Sequence, residues 1–394
     1  MKKLFLFFLY ISIINIAKAQ VLQGKIVDEV TGSGIPFVSV GILGTNSATV
    51  SNENGDFVLR VASYPIKLRC SHVSYLLADL TLNENPSNLV VKLKPASISL
   101  REVTIDPYKG QRLIKAALEK AKGFAGINFY ANAFYRQLTT VNNKPSQVYE
   151  LFYDLQWTTK RVQGWVAKQS RFAEMNEQIA FSLSNQSYLT FSYSGYLLPE
   201  KGGKFVSLLT LGDYEISIDK YIEQQDQKIA VVTCKYKKGS KNQYYVNSTY
   251  YIGMDDFNVY RLENSIFNLP MKYSEARPKY PPMVTTIATF NGYSHPFPIL
   301  ESVSTKLNLA LKTGRQDLNT SVSSLLTVFN IDDNLKNQQY ETLNRKTQDK
   351  SVIESIRYDA AFWRNNPIVK QTTLEDSFIK MMESKSAFGT MTNP

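Results

Sequence analysis

Val21–Ile105 reads VLQGKIVDEVTGSGIPFVSVGILGTNSATVSNENGDFVLRVASYPIKLRCSHVSYLLADLTLNENPSNLVVKLKPASISLREVTI. Short apolar runs alternate with turn signals about every 8 to 12 residues, the pattern of a small all-β sandwich. The turns can be named. Asp28 to Gly34 is a hairpin connection whose two glycines permit positive φ, and Asn52-Glu53-Asn54-Gly55 places Asn-Gly where a tight turn needs it. Pro36–Leu43 lies between them and Asp56–Val61 and Ile66–Ser71 follow, strand candidates rich in Val, Ile, Phe and Leu.

The order and spacing of several short motifs resemble one family. They are Gly24-Lys25-Ile26-Val27-Asp28, Thr31-Gly32, Ile35 to Val40, Gly44-Thr45-Asn46, Ser51 to Phe57, and Leu100 to Ile105. Together they resemble the carboxypeptidase-regulatory-like domain (carboxypeptidase D regulatory-like, transthyretin-related) found at the front of Bacteroidetes envelope proteins. Ser51 stands where that family usually has Asp, and Tyr75 follows Ser74 where Gly-Tyr is usual. The resemblance implies a Greek-key, prealbumin-like sandwich of seven or eight strands acting as an assembly module. It does not imply peptidase chemistry.

The chain has 394 residues, room for two domains and a small third. Residues 1–19 read as a secretion signal: Met1-Lys2-Lys3, an apolar run from Leu4 to Ile16, and Ala17-Lys18-Ala19 as the cleavage motif, leaving Gln20 first in the mature chain. No cysteine follows that point to carry a lipid anchor, and no later run is long enough for a membrane helix. The net charge of +11 is dispersed, with no basic block longer than Lys235 to Lys238, so a solvated basic surface is expected rather than a nucleic-acid groove. Cys70 and Cys234 fall inside separate strands and are expected as buried free thiols.

Asp106 to Gly110 reads as a linker. In Gln111–Lys122, Leu113, Ile114, Ala117, Leu118 and Ala121 share one face at helical spacing, predicting a helix packed under a sheet. Alternation returns at Phe129–Leu138 and Gln147–Trp157. The second run puts Val148, Glu150, Phe152 and Asp154 on one side and Tyr149, Leu151, Tyr153 and Leu155 on the other. Residues 158–200 read as irregular, with Tyr188–Tyr193 a strand or an extended loop. Further strands are predicted at Tyr214–Ile222, Lys228–Tyr236, Tyr244–Ile252, Val259–Asn268, Met283–Phe290, Pro298–Leu311 and Ser321–Asn330. Ile229–Tyr236 followed by Ser248–Glu263 resembles lipoprotein-carrier-like half-barrels; no binding residue is carried across that pattern. The tail from 346 has Tyr358-Asp359, Phe362-Trp363 and a helix ending at Ser384, with Thr373 as its expected N-cap.

Chemistry is sparse. Only His72 and His295 are present, neither in H-E-x-x-H or His-x-x-Glu, so a zinc peptidase is not expected. There is no G-x-S-x-G, no phosphate loop (Gly202-Gly203-Lys204 is a turn), and the Asp332-Asp333-Asn334 spacing fails for a calcium loop. Glu150 and Asp154, Asp255-Asp256 and Asp332-Asp333 read as surface or turn acids. Tyr188, Phe191, Tyr193 and Tyr196 could line a lipid or glycan groove, or simply anchor a loop on the sheet. No catalytic, metal or cofactor residue is assigned.

The expected protein is mainly β: a signal over 1–19, the sandwich over 20–106, a linker and helix over 107–127, a curved antiparallel β domain over 128–345 and a tail with a short helix over 346–394. It reads as an exported, periplasmic or outer-membrane-associated binding protein, peripheral rather than membrane-spanning. Its partner is expected to be an envelope protein, lipid or glycan and not nucleic acid. The alternative is an accessory or divergent hydrolase using carboxylates. A third reading makes 283–330 strands of a small membrane barrel, but that is too few strands to close one.

Overall fold

A computed structural model describes residues 20–100, 106, 108–175, 185–193, 197–199, 204–225, 227–239, 243–271, 276–291, 299–314, 316–342, 344, 346 and 348–388. Seven strands come first: β1 (Gln20–Asp28), β2 (Ser39–Ile42), β3 (Ala48–Val50), β4 (Asp56–Val61), β5 (Ile66–Ser71), β6 (Ala78–Leu82) and β7 (Leu89–Leu93). They form two small sheets, β4-β1-β7 and β3-β2-β5-β6. Between the sheets lie Leu22, Ile26, Val40, Phe57, Leu68 and Val91. The two turns read from the sequence pack on each other. Gly55 has φ +82°, its carbonyl accepts from the Ile26 amide at 2.8 Å, and a Cβ on Gly34 would collide with the Asn54 carbonyl. Ser51 holds its turn without a carboxylate: its buried hydroxyl accepts from the Val38 amide and donates to the Ile35 carbonyl.

The chain leaves the sandwich at β8 (Ser97–Leu100), which pairs not with β7 but with β12 (Tyr214–Glu223), at the edge of a much larger sheet. Next come α1 (Lys109–Gly123), β9 (Phe129–Val141), β10 (Lys144–Thr158), β11 (Arg161–Glu174) and α2 (Gln186–Tyr193). After β12 follow β13 (Lys228–Tyr236), β14 (Tyr245–Gly253), β15 (Val259–Phe267), β16 (Arg277–Pro278), β17 (Met283–Asn291), β18 (Ile299–Thr313), β19 (Gln316–Ile331) and β20 (Glu341–Thr342). Three helices close the chain: α3 (Asp349–Glu354), α4 (Ala360–Asn365) and α5 (Thr373–Ser384). The large sheet runs β20-β11-β10-β9-β19-β18-β17-β15-β14-β13-β12-β8, with β16 on β18, and its described pairs are antiparallel.

Period-two alternation decides what each face buries. On one face Tyr135, Tyr149, Leu151, Tyr153 and Leu155 join Leu113, Ile114, Ala117 and Leu118 of α1, Phe191 of α2 and Ile353 of α3 in one hydrophobic cluster. On the other face Phe134 and Phe152 meet Trp363, Ile368 and Val369, while Leu138, Val148 and Ala173 meet Phe378, Ile379 and Met382 of α5. The tail thus crosses from the first face, at α3, to the second, at α4 and α5. The sandwich docks beside it. Thr49 Oγ1 donates to the Ile368 carbonyl at 2.7 Å, Arg60 donates to Asn366 Oδ1 at 2.8 Å, and Gln224 Nε2 reaches the Val73 carbonyl at 3.0 Å.

Several expectations need correction. Residues 158–200 are not irregular throughout: β11 fills most of the first half and α2 replaces the strand or loop expected at Tyr188–Tyr193. Register shifts at Phe152/Tyr153 and Gln156/Trp157 break the period-two pattern against β11, and its charged residues disguise a buried strand. The cap of α5 is Thr372, not Thr373; its side chain accepts from the Glu375 amide while Glu375 reaches back to the Thr372 amide. Glu150 and Asp154 are not surface acids; both are buried. The membrane-barrel reading of 283–330 fails because the outer-face residues Ser304, Lys306 and Ser323 are polar and partly or fully exposed, and the sandwich and tail border that face. No described helix is long and apolar enough to cross a membrane. The signal residues, His295, Tyr196, Gly202 and Gly203 lie outside the described residues.

Candidate functional site

The face of β9, β10 and β11 under the sandwich and tail carries charge into the interior. Glu150 Oε1 accepts from Arg136 Nε at 2.6 Å, and Oε2 accepts from Arg171 Nε. Arg136 also donates to the Val369 carbonyl at 3.2 Å, and Arg171 pairs with Glu383 at 3.0 Å. The Arg171 guanidinium lies 4.5 Å from the Trp363 ring and 4.9 Å from the Phe388 ring. Burial drives the Glu150 carboxyl upward most strongly of any single influence. The two guanidiniums together outweigh it, so its pKa is lowered and it stays ionised. This cluster fastens the tail to the sheet, and a cavity of about 150 Å³ between the sandwich and the tail reaches it, lined by Arg136, Glu150, Arg171 and Trp363.

Beside it is a cavity of about 400 Å³. The sandwich edge supplies Ala48 and Leu59, the sheet Phe152 and Phe329, and the tail Phe362 and Ile368. Phe152 is the centre of an aromatic nest, 4.9 Å from Phe362, 5.3 Å from Trp363 and 6.1 Å from Phe329 between centroids. One end is polar. Asn330 donates to Asn132, which donates to Asp154 Oδ1 at 2.8 Å; Asp154 Oδ2 accepts from Gln338 and from Lys168, both at 3.0 Å. Lys168 and Arg60 are exposed at this rim, so the apolar interior opens beside two cations. A volume in the range of roughly 300–1,000 Å³ with a few placed polar groups is what small-molecule sites offer.

A third polar group lies where the sandwich meets β15, β17 and β18. Burial raises the Glu301 carboxyl to about 7, while the Ser39 and Thr289 hydroxyls oppose that rise. Glu301 shares a small cavity with His72, whose ring lies 3.3 Å from Arg261 Nη1. Burial first, and Arg261 second, lower His72 to about 3, so its imidazole is neutral near pH 7.

The residues singled out in the sequence scatter. Cys70 and Cys234 are buried and free, and burial pushes the Cys70 thiol up to about 12. Asp256 and Asp332 organise turns, accepting from the Asn258 and Asn334 amides. Phe191 and Tyr193 are core residues on α2, so they line no open groove. Among the described residues no group of acidic, histidine or cysteine side chains could hold a metal. The sequence reading missed Arg136, Arg171, Lys168 and Glu301. Only Arg136 left a trace, as a charge inside the predicted strand Phe129–Leu138; Arg171 fell in the stretch read as irregular.

Residues 22–105 match the family model of the CarboxypepD_reg-like domain, about a fifth of the chain. No curated protein matches. Among solved structures, a putative outer membrane lipoprotein-sorting protein domain from Vibrio parahaemolyticus is similar at 12% identity and TM-score 0.24, covering 59% of this chain and 97% of that one. LolA superfamily protein NE2245 from Nitrosomonas europaea is similar at 12% identity and TM-score 0.20, covering 57% and 97%. Likeness at these scores carries no weight about ligand or activity. The front of the chain is therefore placed by its family model as similar to a CarboxypepD_reg-like domain.

Proposed function

We propose that this chain is an exported, non-catalytic binding protein of the cell envelope that holds an anionic amphiphile, a fatty acid or an acyl lipid with an acidic head. The observation that carries the reading is the apolar cavity of about 400 Å³ with Lys168 and Arg60 at its polar end, where Asp154 offsets one of the two charges and a net positive charge is left. The chain would lie among Leu59, Phe152, Phe362 and Ile368, and the acidic head beside the two cations. The CarboxypepD_reg-like module contributes a wall rather than a catalytic group, through Ala48 and Leu59. The hydrolase reading needs a carboxylate pair free to exchange protons with a substrate, whereas both Glu150 oxygens are held by guanidiniums and Asp154 is engaged by Lys168, Asn132 and Gln338.

Calorimetric titration with saturated fatty acids of increasing length tests this. Each added methylene that enters the cavity should contribute about 0.8 kcal/mol, roughly fourfold in affinity, until the cavity is full. Ala48→Trp should fill the space and abolish binding with the fold intact. Affinity independent of chain length, or unchanged by Ala48→Trp, would sink the proposal.

A further inference from the structure

The face of the large sheet that carries α1 and α2 contains a line of polar side chains running across the strands. Gln137 on β9 lies opposite Ser324 on β19, and Ser324 opposite Thr305 on β18. Thr305 lies opposite Thr286 on β17, Thr286 opposite Asn264 on β15, and Asn264 opposite Ser248 on β14. All six are buried. The parallel lines two residues to either side are apolar: Val303, Ala288 and Leu262 on one, Leu307, Val284 and Ile266 on the other.

Half of the line satisfies itself. Ser248 donates to Asn264 at 2.7 Å, and Asn264 donates to Thr286 at 3.3 Å. The other half does not. Gln137 Nε2 and Thr305 Oγ1 find no partner among the described residues, and both flank Ser324. Buried polar atoms are nearly always paired, so these two neighbours of Ser324 are available to the polar atoms of a bound molecule. What lies over them is α2. Its Thr190 hydroxyl is 2.9 Å from that of Ser324, its Ser192 hydroxyl is also unpaired, and Ser187 bonds to Asp349 of α3. Helix α1 grips the same sheet face with five aliphatic side chains; α2 adds three buried hydroxyls, those of Ser187, Thr190 and Ser192, which a ligand's own hydroxyls can replace. Its apolar contacts come from Phe191, set between Tyr135 and Tyr153 at 6.2 and 5.2 Å, and from Tyr193 and Leu189 in the same cluster.

We propose that Gln137, Ser324 and Thr305 form a second, covered binding site for a neutral, hydroxyl-bearing amphiphile of the monoacylglycerol class, opened by displacement of α2. The line contains no cation, and the Asp349 carboxylate at the foot of α2 disfavours an acidic head. The glycerol oxygens complete Gln137 and Thr305, while the acyl chain takes the slot of Phe191 and the flanking apolar lines. This site lies on the opposite sheet face from the cavity proposed for acidic amphiphiles and stands or falls separately.

The test is Thr190→Cys with Ser324→Cys in the full chain. The two hydroxyls are close enough for their replacements to form a disulfide, and the buried Cys70 and Cys234 leave the new pair to oxidise alone. Calorimetry with 1-oleoylglycerol should show binding to wild type and to the reduced variant, and at least tenfold weaker binding to the oxidised form, restored by reductant. Oleate should bind all three alike. Thr305→Val serves as a second probe: removing an unpaired hydroxyl should raise the melting temperature and weaken 1-oleoylglycerol binding at least fivefold. Absent binding of 1-oleoylglycerol to wild type, equal binding to the oxidised and reduced forms, or full binding by Thr305→Val would each overturn the proposal. Should the reduced variant fail to bind, the Thr305→Val comparison with wild type decides. Loss of oleate binding on Ala48→Trp with 1-oleoylglycerol binding intact separates the two sites.

Discussion

The two faces of the large sheet are built from the same strands and are both largely buried near β9–β11, yet they are held by different forces. On the α1 face, Leu113, Ile114 and Leu118 meet Tyr135, Tyr149 and Leu151, and adhesion is apolar contact. On the tail face, Arg136, Glu150 and Arg171 alternate with Phe134, Phe152 and Val148, and adhesion is a buried ion network roofed by aromatic rings. The difference teaches that polar residues at one phase of a strand need not face water. They face whatever the rest of the chain brings, and here residues more than 190 positions downstream cover them.

That contrast can be broken from the tail side with the greatest effect. Glu150→Ala leaves two guanidiniums buried without their shared partner and should cost about 3–5 kcal/mol in denaturant unfolding. From the α1 side, Leu118→Ala should cost about 2–5 kcal/mol through a cavity, with no change in salt dependence. Loss of stability below 1 kcal/mol in the first variant would mean that the network is ornamental.

Titration separates two glutamates by sign. Glu150 has a lowered pKa, so its contribution is present above the ordinary carboxyl range and is lost as pH falls through its folded value. Glu301 is raised to about 7, so the native state holds the extra proton and stability falls as pH rises from the ordinary carboxyl value to about 7. The second effect should be on the order of 2 kcal/mol, measured as the stability difference between pH 5 and 7.5. Glu301→Gln should flatten that slope; an unchanged slope would place the titrating group elsewhere. The smallest effect belongs to the cap: Thr372→Ala should cost about 1 kcal/mol and loosen α5 in hydrogen exchange before anything on the α1 face.

Local signals carried much of the fold. The Asn-Gly turn at 54–55, the helical spacing of Leu113 to Ala121 and the run Lys228–Tyr236 all appear where turn chemistry and periodicity put them. What failed had no local signal. Helix α2 is rich in hydroxyl and aromatic residues with no strong helix preference, and tertiary bonds at Ser187 and Thr190 hold it. Strand β11 reads as irregular in the sequence because what makes Arg171 an interior residue is distant: its partner Glu150 on the neighbouring strand and its roof of Trp363 and Phe388. The cavity draws on Ala48, Phe152, Lys168, Phe329 and Phe362, which no window of sequence unites. Phe362-Trp363 in a polar tail was the nearest clue, since an aromatic pair there must be covered by something.

The most direct measurement is a crystal structure of the protein with oleate bound. The account predicts the acyl chain between Leu59, Phe152, Phe362 and Ile368, with the carboxylate beside Lys168 and Arg60. Oleate on the α1 face, or with its carboxylate directed away from both cations, would contradict it.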